Sequence, residues 1–309
     1  AAFDTSIEPT DLLRQNIKQN AVGKTVEAQT QKFREGAGKA REYHAITRGW
    51  IANEIFRRID PAGRTIGEFL QENISAPMES DANIGVPKRD LGRVSKVSAL
   101  SFRFQLLQSL KPKLFKRKIE HNVFQLLARI IRLIPAMRRS TTRHVPPPFK
   151  GMKKIEFFND PIIAMGETPS ANANCSARGL AKIAAMMSSR GMWGGTEYLN
   201  ETAWNALHAE PIEADMMLDT TTFTQGGVAL FSQCTQDDPM FKKALSEGRE
   251  GYYGWMGFGG SIFQWHPKHQ IGFGYVPTSL NVFDILNERG KAYQAEAVKC
   301  AASMSERSS

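Results

Sequence analysis

No apolar run in this sequence approaches the roughly 18 residues that a bilayer-spanning helix needs. No secretory signal stands at its start either, and together these absences favour a cytoplasmic location. Cysteine is scarce. Cys175, Cys234 and Cys300 are far apart and odd in number, which argues against a disulfide framework and leaves three inert thiols. There is no Cys-x-x-Cys and no His-x-x-x-His, the spacings that most often hold a metal. His266 and His269 flank Pro267 and Lys268, a turn rather than a ligand pair.

Acidic residues are nearly absent from one window. Residues 101–150 hold twelve Lys and Arg against a single acid, Glu120. Of the net charge of +9, that window carries +11, which leaves −2 for the rest of the chain. The basic character therefore belongs to one segment, and nucleic-acid binding does not follow for the whole protein. The 309 residues, 41% of them hydrophobic, suffice for one large core or two modest ones.

Residues 1–40 are polar and poor in aromatics; "DLLRQNIKQN" suits a short helix, and "KTVEAQTQKFREGAGKA" continues it or forms a loose connection. From Ala45, the apolar residues Ile46, Trp50, Ile51, Ile55 and Ile59 recur at helical spacing, and Pro61 and Gly63 end that helix. Thr65 and Glu68 form a capping-box pair for a second helix, closed by Pro77. Residues 81–97 read as a loop. Residues 98–137 read as two basic amphipathic helices broken at Pro112 and Pro135, and "VPPPF" follows as a stiff linker. A helix capped by Ser176 or Asn174 runs to Gly191, and a shorter one starts near Asn200 or Thr202. The runs "GGVALFSQ", "GGSIFQWHP" and "QIGFGYVPT" read as antiparallel strands, and "NVFDILNERGKAYQAEAVKCAAS" as a closing helix. Helices, then strands, then a helix give the α+β class.

Three segments, "YHAITRGWIANEIFRR", "PSANANCSARGLAKIAA" and "GWMGFGGSIFQWHP" with "IGFGYV", together resemble the β-lactamase-related serine hydrolases. The branch most similar is that of class C β-lactamases, β-lactamase-fold esterases and animal β-lactamase domain proteins. The resemblance covers about residues 41–98 and 151–300. It implies a β-lactamase/penicillin-binding-protein-like fold in a single domain over 1–300. That domain would have a poorly matched stretch at 1–40, a basic insertion at 101–150 and a tail at 301–309. Family chemistry uses a Ser-x-x-Lys serine, a Tyr-x-Asn tyrosine, a strand-borne Lys-Thr-Gly, His-x-Gly or Trp-x-Gly motif and backbone oxyanion donors. It needs no metal and no organic cofactor.

By this resemblance, Tyr43 is the proton-handling tyrosine, the general base and acid. A phenol ionises near pH 10 in water (about 10), so such a base needs positive charge beside it. Ala45 stands where the motif has Asn, which removes an amide that would bind a lactam. His44 adds a donor or a charge. Trp255, Met256 and Gly257 match the Trp-x-Gly form, with the Phe258 N–H as oxyanion donor and no lysine at the motif. Ser170 and Asn172 are placed beside substrate. Packing roles are the alternative for each: Tyr43 bonding backbone at a helix start, the Gly-rich segment as a plain turn, and Ser170 and Asn172 as part of a capped helix on the sheet.

No serine in the chain has a lysine three residues later. The resemblance places the nucleophile upstream of the tyrosine, further back than the 42 residues present here, and the sequence opens on Ala. Two expectations follow. The chain is the carboxy-terminal part of a serine hydrolase acting on a small ester or amide, an esterase or peptidase rather than a lactamase. Alternatively it is a non-catalytic scaffold of the same fold. The basic segment 101–145, with Leu106, Leu107, Leu110, Leu114, Phe115 and Ile119 among its cations, suits an anionic membrane surface, a lid over an apolar substrate, or a solvated insertion.

Overall fold

The computed structural model describes residues 3–30, 43, 45–116, 119, 122–128, 131, 145–216, 219–284 and 286–308. The first of them contribute directly to the core. A 3₁₀ turn at Pro9–Leu12 leads into α1 (Arg14–Lys18) and α2 (Ala21–Glu27). Phe3, Ile7, Leu12, Ile17 and Val22 are buried there with Trp50, Phe149 and Ile163. Of the stretch expected to match the family poorly, residues 3–27 are thus part of the folded body.

Helix α3 (Thr47–Ile59) ends before Pro61 as its sequence predicts, yet it turns a mixed face inward. Trp50, Asn53 and Glu54 are buried, whereas Ile55 and Ile59 are exposed. Polar groups can take the inner face because each finds a partner there. Glu54 accepts from Arg57 Nη2 at 2.8 Å and from Arg58 Nη1 at 2.7 Å. Helix α4 (Ile66–Leu70) opens on the expected capping box, with both reciprocal Thr65–Glu68 bonds formed. The following loop is partly ordered into strand β1 (Ala82–Ile84) and a 3₁₀ turn at Lys88–Arg93. Strand β2 (Ser98–Ala99) and helix α5 (Phe102–Ser109) come next, then helix α6 (Pro161–Met165).

Strand β3 (Ala173–Cys175) pairs antiparallel with β1 and delivers the chain to α7 (Ala177–Ser188). Ser176 caps α7 by accepting from Gly179 N at 3.0 Å. A tight hairpin, β4 (Met192–Trp193) with β5 (Thr196–Glu197), precedes α8 (Glu201–His208), capped by Asn200. A longer hairpin joins β6 (Ile212–Met216) to β7 (Asp219–Phe223), and α9 (Met240–Ser246) follows.

The central sheet is antiparallel, in the order β10–β9–β8, from β8 (Tyr253–Met256), β9 (Ile262–His266) and β10 (Ile271–Tyr275). Helix α7 lies on β10 at very short range. A Cβ on Gly272 would stand 2.2 Å from Ala185 N, and one on Gly274 would stand 2.7 Å from Ala177 O. The two glycines share one face of the strand, so their missing side chains let the helix seat there. Strand β11 (Ser279–Leu280) pairs with β2, and α10 (Glu288–Ser308) closes the fold. The closing helix begins later than its sequence suggests, because residues 281–284 turn around the Asn281 and Asp284 side chains before Asp284 accepts from Glu288 N at 2.8 Å. No helix among the described residues is long and apolar enough to cross a membrane.

Candidate functional site

Tyr43 lies just ahead of α3, and the loop 166–172 holds that entry in place. Ser170 Oγ donates to Ile46 O at 2.7 Å. The approach depends on Gly49, where a Cβ would fall 2.5 Å from Ser170 N. Trp50 Nε1 donates to Thr168 Oγ1 at 3.0 Å, a second tie between helix and loop.

The loop in turn is fixed from within by Asn172 and Glu167. Asn172 is buried, and its amide accepts from Thr168 N and donates to Ile163 O and Gly166 O at 2.7–2.8 Å. The side chain that the resemblance places beside substrate is thus engaged with backbone. Glu167 is fully buried and accepts from Arg14 Nε at 2.6 Å, Thr65 Oγ1 at 2.8 Å, Asn53 Nδ2 at 3.1 Å and Gly67 N at 3.3 Å. One carboxylate so ties α1, α3, α4 and the loop together. Sequence reasoning missed it. The signal available was a lone acid inside the otherwise uncharged run "PIIAMGETPSANANC".

The fold brings Tyr43 to Trp255. Trp255 Nε1 donates to Tyr43 Oη at 3.2 Å, and the ring centroids are 6.3 Å apart. These two residues come from different sequence motifs, 212 positions apart. Phe223 and Phe231 pack around the same indole, with centroids at 5.2 and 6.2 Å. Trp255 is thereby held from the apolar side while its N–H points to the phenol.

Strand β8 then runs into the turn Gly257–Ser261. Gly257 N donates to Ser261 O at 2.8 Å, and Gly257 O accepts from Asn287 Nδ2 at 3.0 Å. A Cβ on Gly257 would lie 2.0 Å from Ser261 Oγ, so a side chain there would have to turn the serine hydroxyl aside. Gly259 and Gly260 complete it at φ of +84° and +126°, values that other residues rarely adopt. Within the described residues nothing accepts the Phe258 N–H. The Phe258 side chain is exposed and lines a cavity of about 540 Å³ with Ala99, Pro148, Met152, Ile155 and Val282. Lys153 and Lys154 stand in the same wall. The Trp-x-Gly motif itself carries no cation; the tertiary structure brings two to the cavity, together with the acid Glu156. His44 lies outside the described residues. No cluster of His, Cys, Asp and Glu suited to a metal occurs among the described residues.

Comparison with known proteins bears on the fold. The chain is similar in structure to a penicillin-binding protein homolog from Caulobacter crescentus (TM-score 0.63, 21% identity, covering 95% of this chain and 67% of that one). It is similar also to a family VIII carboxylesterase (TM-score 0.64, 19% identity, 96% and 67% coverage). A third likeness is to EstA from Arthrobacter nitroguajacolicus Rue61a (TM-score 0.58, 18% identity, 93% and 72%). No curated protein sequence matches the chain. The family model for beta-lactamase matches residues 8–296, nearly the whole length, and the chain belongs to the beta-lactamase family.

Proposed function

We propose that the chain forms two walls of an acyl-transfer site for small-molecule esters or amides. The observation that carries this reading is the Trp255–Tyr43 hydrogen bond, which joins the tyrosine motif to the strand motif. In this reading Tyr43 Oη takes the proton from an attacking serine hydroxyl and returns it to the leaving group. The unpaired Phe258 N–H donates to the oxygen that becomes negative as the carbonyl is attacked. Trp255 orients the phenol, and Ser170 with Gly49 fixes the backbone behind it. The reading needs a serine nucleophile, and no Ser-x-x-Lys occurs among these 309 residues.

An ester or unstrained amide is favoured over a β-lactam because Ala45 replaces the amide of Tyr-x-Asn. The likeness to a carboxylesterase supports the same choice. The second reading, a β-lactamase-fold scaffold without acyl transfer, is favoured by the missing Ser-x-x-Lys alone. Fluorophosphonate capture and p-nitrophenyl ester turnover, measured on the protein isolated from its native source, separate the two. Serine capture with turnover that drops about 10²-fold in Tyr43→Phe supports acyl transfer. Turnover unchanged by that substitution removes Tyr43 from the mechanism, and failure to capture any serine leaves the scaffold.

A further inference from the structure

Helix α5 is built inside out. Its buried side chains are Gln105, Gln108 and Ser109, with Gln105 only 2% exposed. The polar inner face is satisfied locally: Gln105 Nε2 donates to Leu100 O at 3.0 Å and Ser109 Oγ donates to Leu106 O at 2.7 Å. Arg103, Leu107 and Leu110 follow one another at helical spacing on the outside, and Leu114 and Phe115 continue outward in the next turn. Leu114 is 88% exposed, and Phe102 and Phe124 also face out. The sequence alone leaves a membrane surface, a lid and a solvated insertion open; the structure turns Phe102, Leu107 and Leu110 outward and leaves Phe104 and Leu106 half-buried. A run of exposed leucine and phenylalanine on this scale marks a surface that meets another phase or partner.

The charge around it identifies that partner. Residues 101–150 carry twelve cations and one acid, and the exposed Arg103, Lys111 and Lys116 are interleaved with the exposed apolar residues. An anionic lipid surface offers both of the things this pattern needs, negative headgroups for the cations and acyl chains for leucine and phenylalanine. We propose that the outward face of residues 102–116 docks the protein on anionic membranes, lying in the interface without crossing it. This goes beyond the acyl-transfer reading and stands without it.

Sedimentation of the full 309-residue chain with lipid vesicles tests it. Vesicles of phosphatidylcholine are compared with vesicles that also contain about 30% phosphatidylserine, at low and high salt. The expected result is binding at least about 10-fold stronger to the anionic vesicles, weakening as salt rises. The triple change Leu107→Asp, Leu110→Asp, Leu114→Asp removes the apolar part. The triple change Arg103→Gln, Lys111→Gln, Lys116→Gln removes the charge. Each is expected to weaken binding by roughly 10-fold or more. All six side chains are exposed or flank exposed ones, so melting by circular dichroism should not move, and this control shows that lost binding is not lost folding. The proposal is overturned by equal binding to neutral vesicles, by no binding, or by binding that neither triple change weakens. It is overturned also if the leucine changes dissociate a dimer and leave vesicle binding unchanged, because a second copy would then be what covers the face.

Discussion

Removing the Glu167 carboxylate should weaken the whole tyrosine-side lobe, and the cost can be worked from its four bonds. Arg14 is partly exposed, so in Glu167→Ala its guanidinium can turn to water. Thr65 keeps its partner Glu68. Asn53 Nδ2 and the Gly67 N–H are left stranded in a buried site. Each orphaned donor costs about 1–3 kcal/mol. With the lost packing of the side chain, the total comes to about 3–5 kcal/mol, the range found when one member of a buried pair is deleted. Glu167→Gln keeps the shape and one acceptor oxygen but turns an NH₂ toward the donors, so its loss should be intermediate, about 2–3 kcal/mol. Urea unfolding followed by tryptophan fluorescence is the assay, because Trp50 bonds to Thr168, the residue next to Glu167. A loss below about 1 kcal/mol for Glu167→Ala would refute the claim that this carboxylate organises the lobe.

Trp255→Phe keeps the ring among Phe223 and Phe231 but deletes the N–H to Tyr43; in the complete, active protein it should cut ester turnover by roughly 2–10-fold, less than Tyr43→Phe, with little change in melting temperature. His208 accepts from Trp265 Nε1 at 2.9 Å through Nε2, so its proton sits on Nδ1 and faces Trp204 O at 2.7 Å. Burial lowers its pKa from the ordinary 6.5, which means the unfolded chain binds the proton first. Its contribution to stability is therefore complete above about pH 6.5 and is lost as pH falls through the lower folded value. Melting temperature measured from pH 7 down to 5 should fall less steeply in His208→Gln than in the parent, and parallel slopes would count against this role. Burial pushes the Cys175 thiol up to about 11. Iodoacetamide at neutral pH should accordingly modify exposed Cys300 well before Cys175, as peptide mass mapping over time will show.

Helix caps and breaks were readable one stretch at a time. Thr65 with Glu68, Ser176, Asn200, and the stop at Gly191 each act over a few residues, so their pattern in the chain is the interaction itself. The alternation in "GSIFQWH" and "IGFGY" likewise marks β9 and β10. Spacing could not show which face of a helix turns inward. On α3 and α5 several buried positions are polar, with partners such as Arg57, Arg58 and the Leu100 carbonyl. Apolar periodicity assumes that polar groups lose by burial, and that assumption fails wherever a hydrogen bond is waiting.

The contacts that join these motifs are all long-range. Trp255 meets Tyr43, Ser170 meets Ile46, and Glu167 gathers donors from four segments. Each of those residues has an ordinary local role as well, as a turn aromatic, a cap or a surface acid. Which role it takes depends on where the folded chain places a partner, and a sequence pattern that repeats every two or four residues carries no record of a neighbour 100 or 200 positions away (roughly). Local chemistry thus decided the elements and the family, while tertiary packing decided which side chains were consumed holding the loop and which were left facing the cavity.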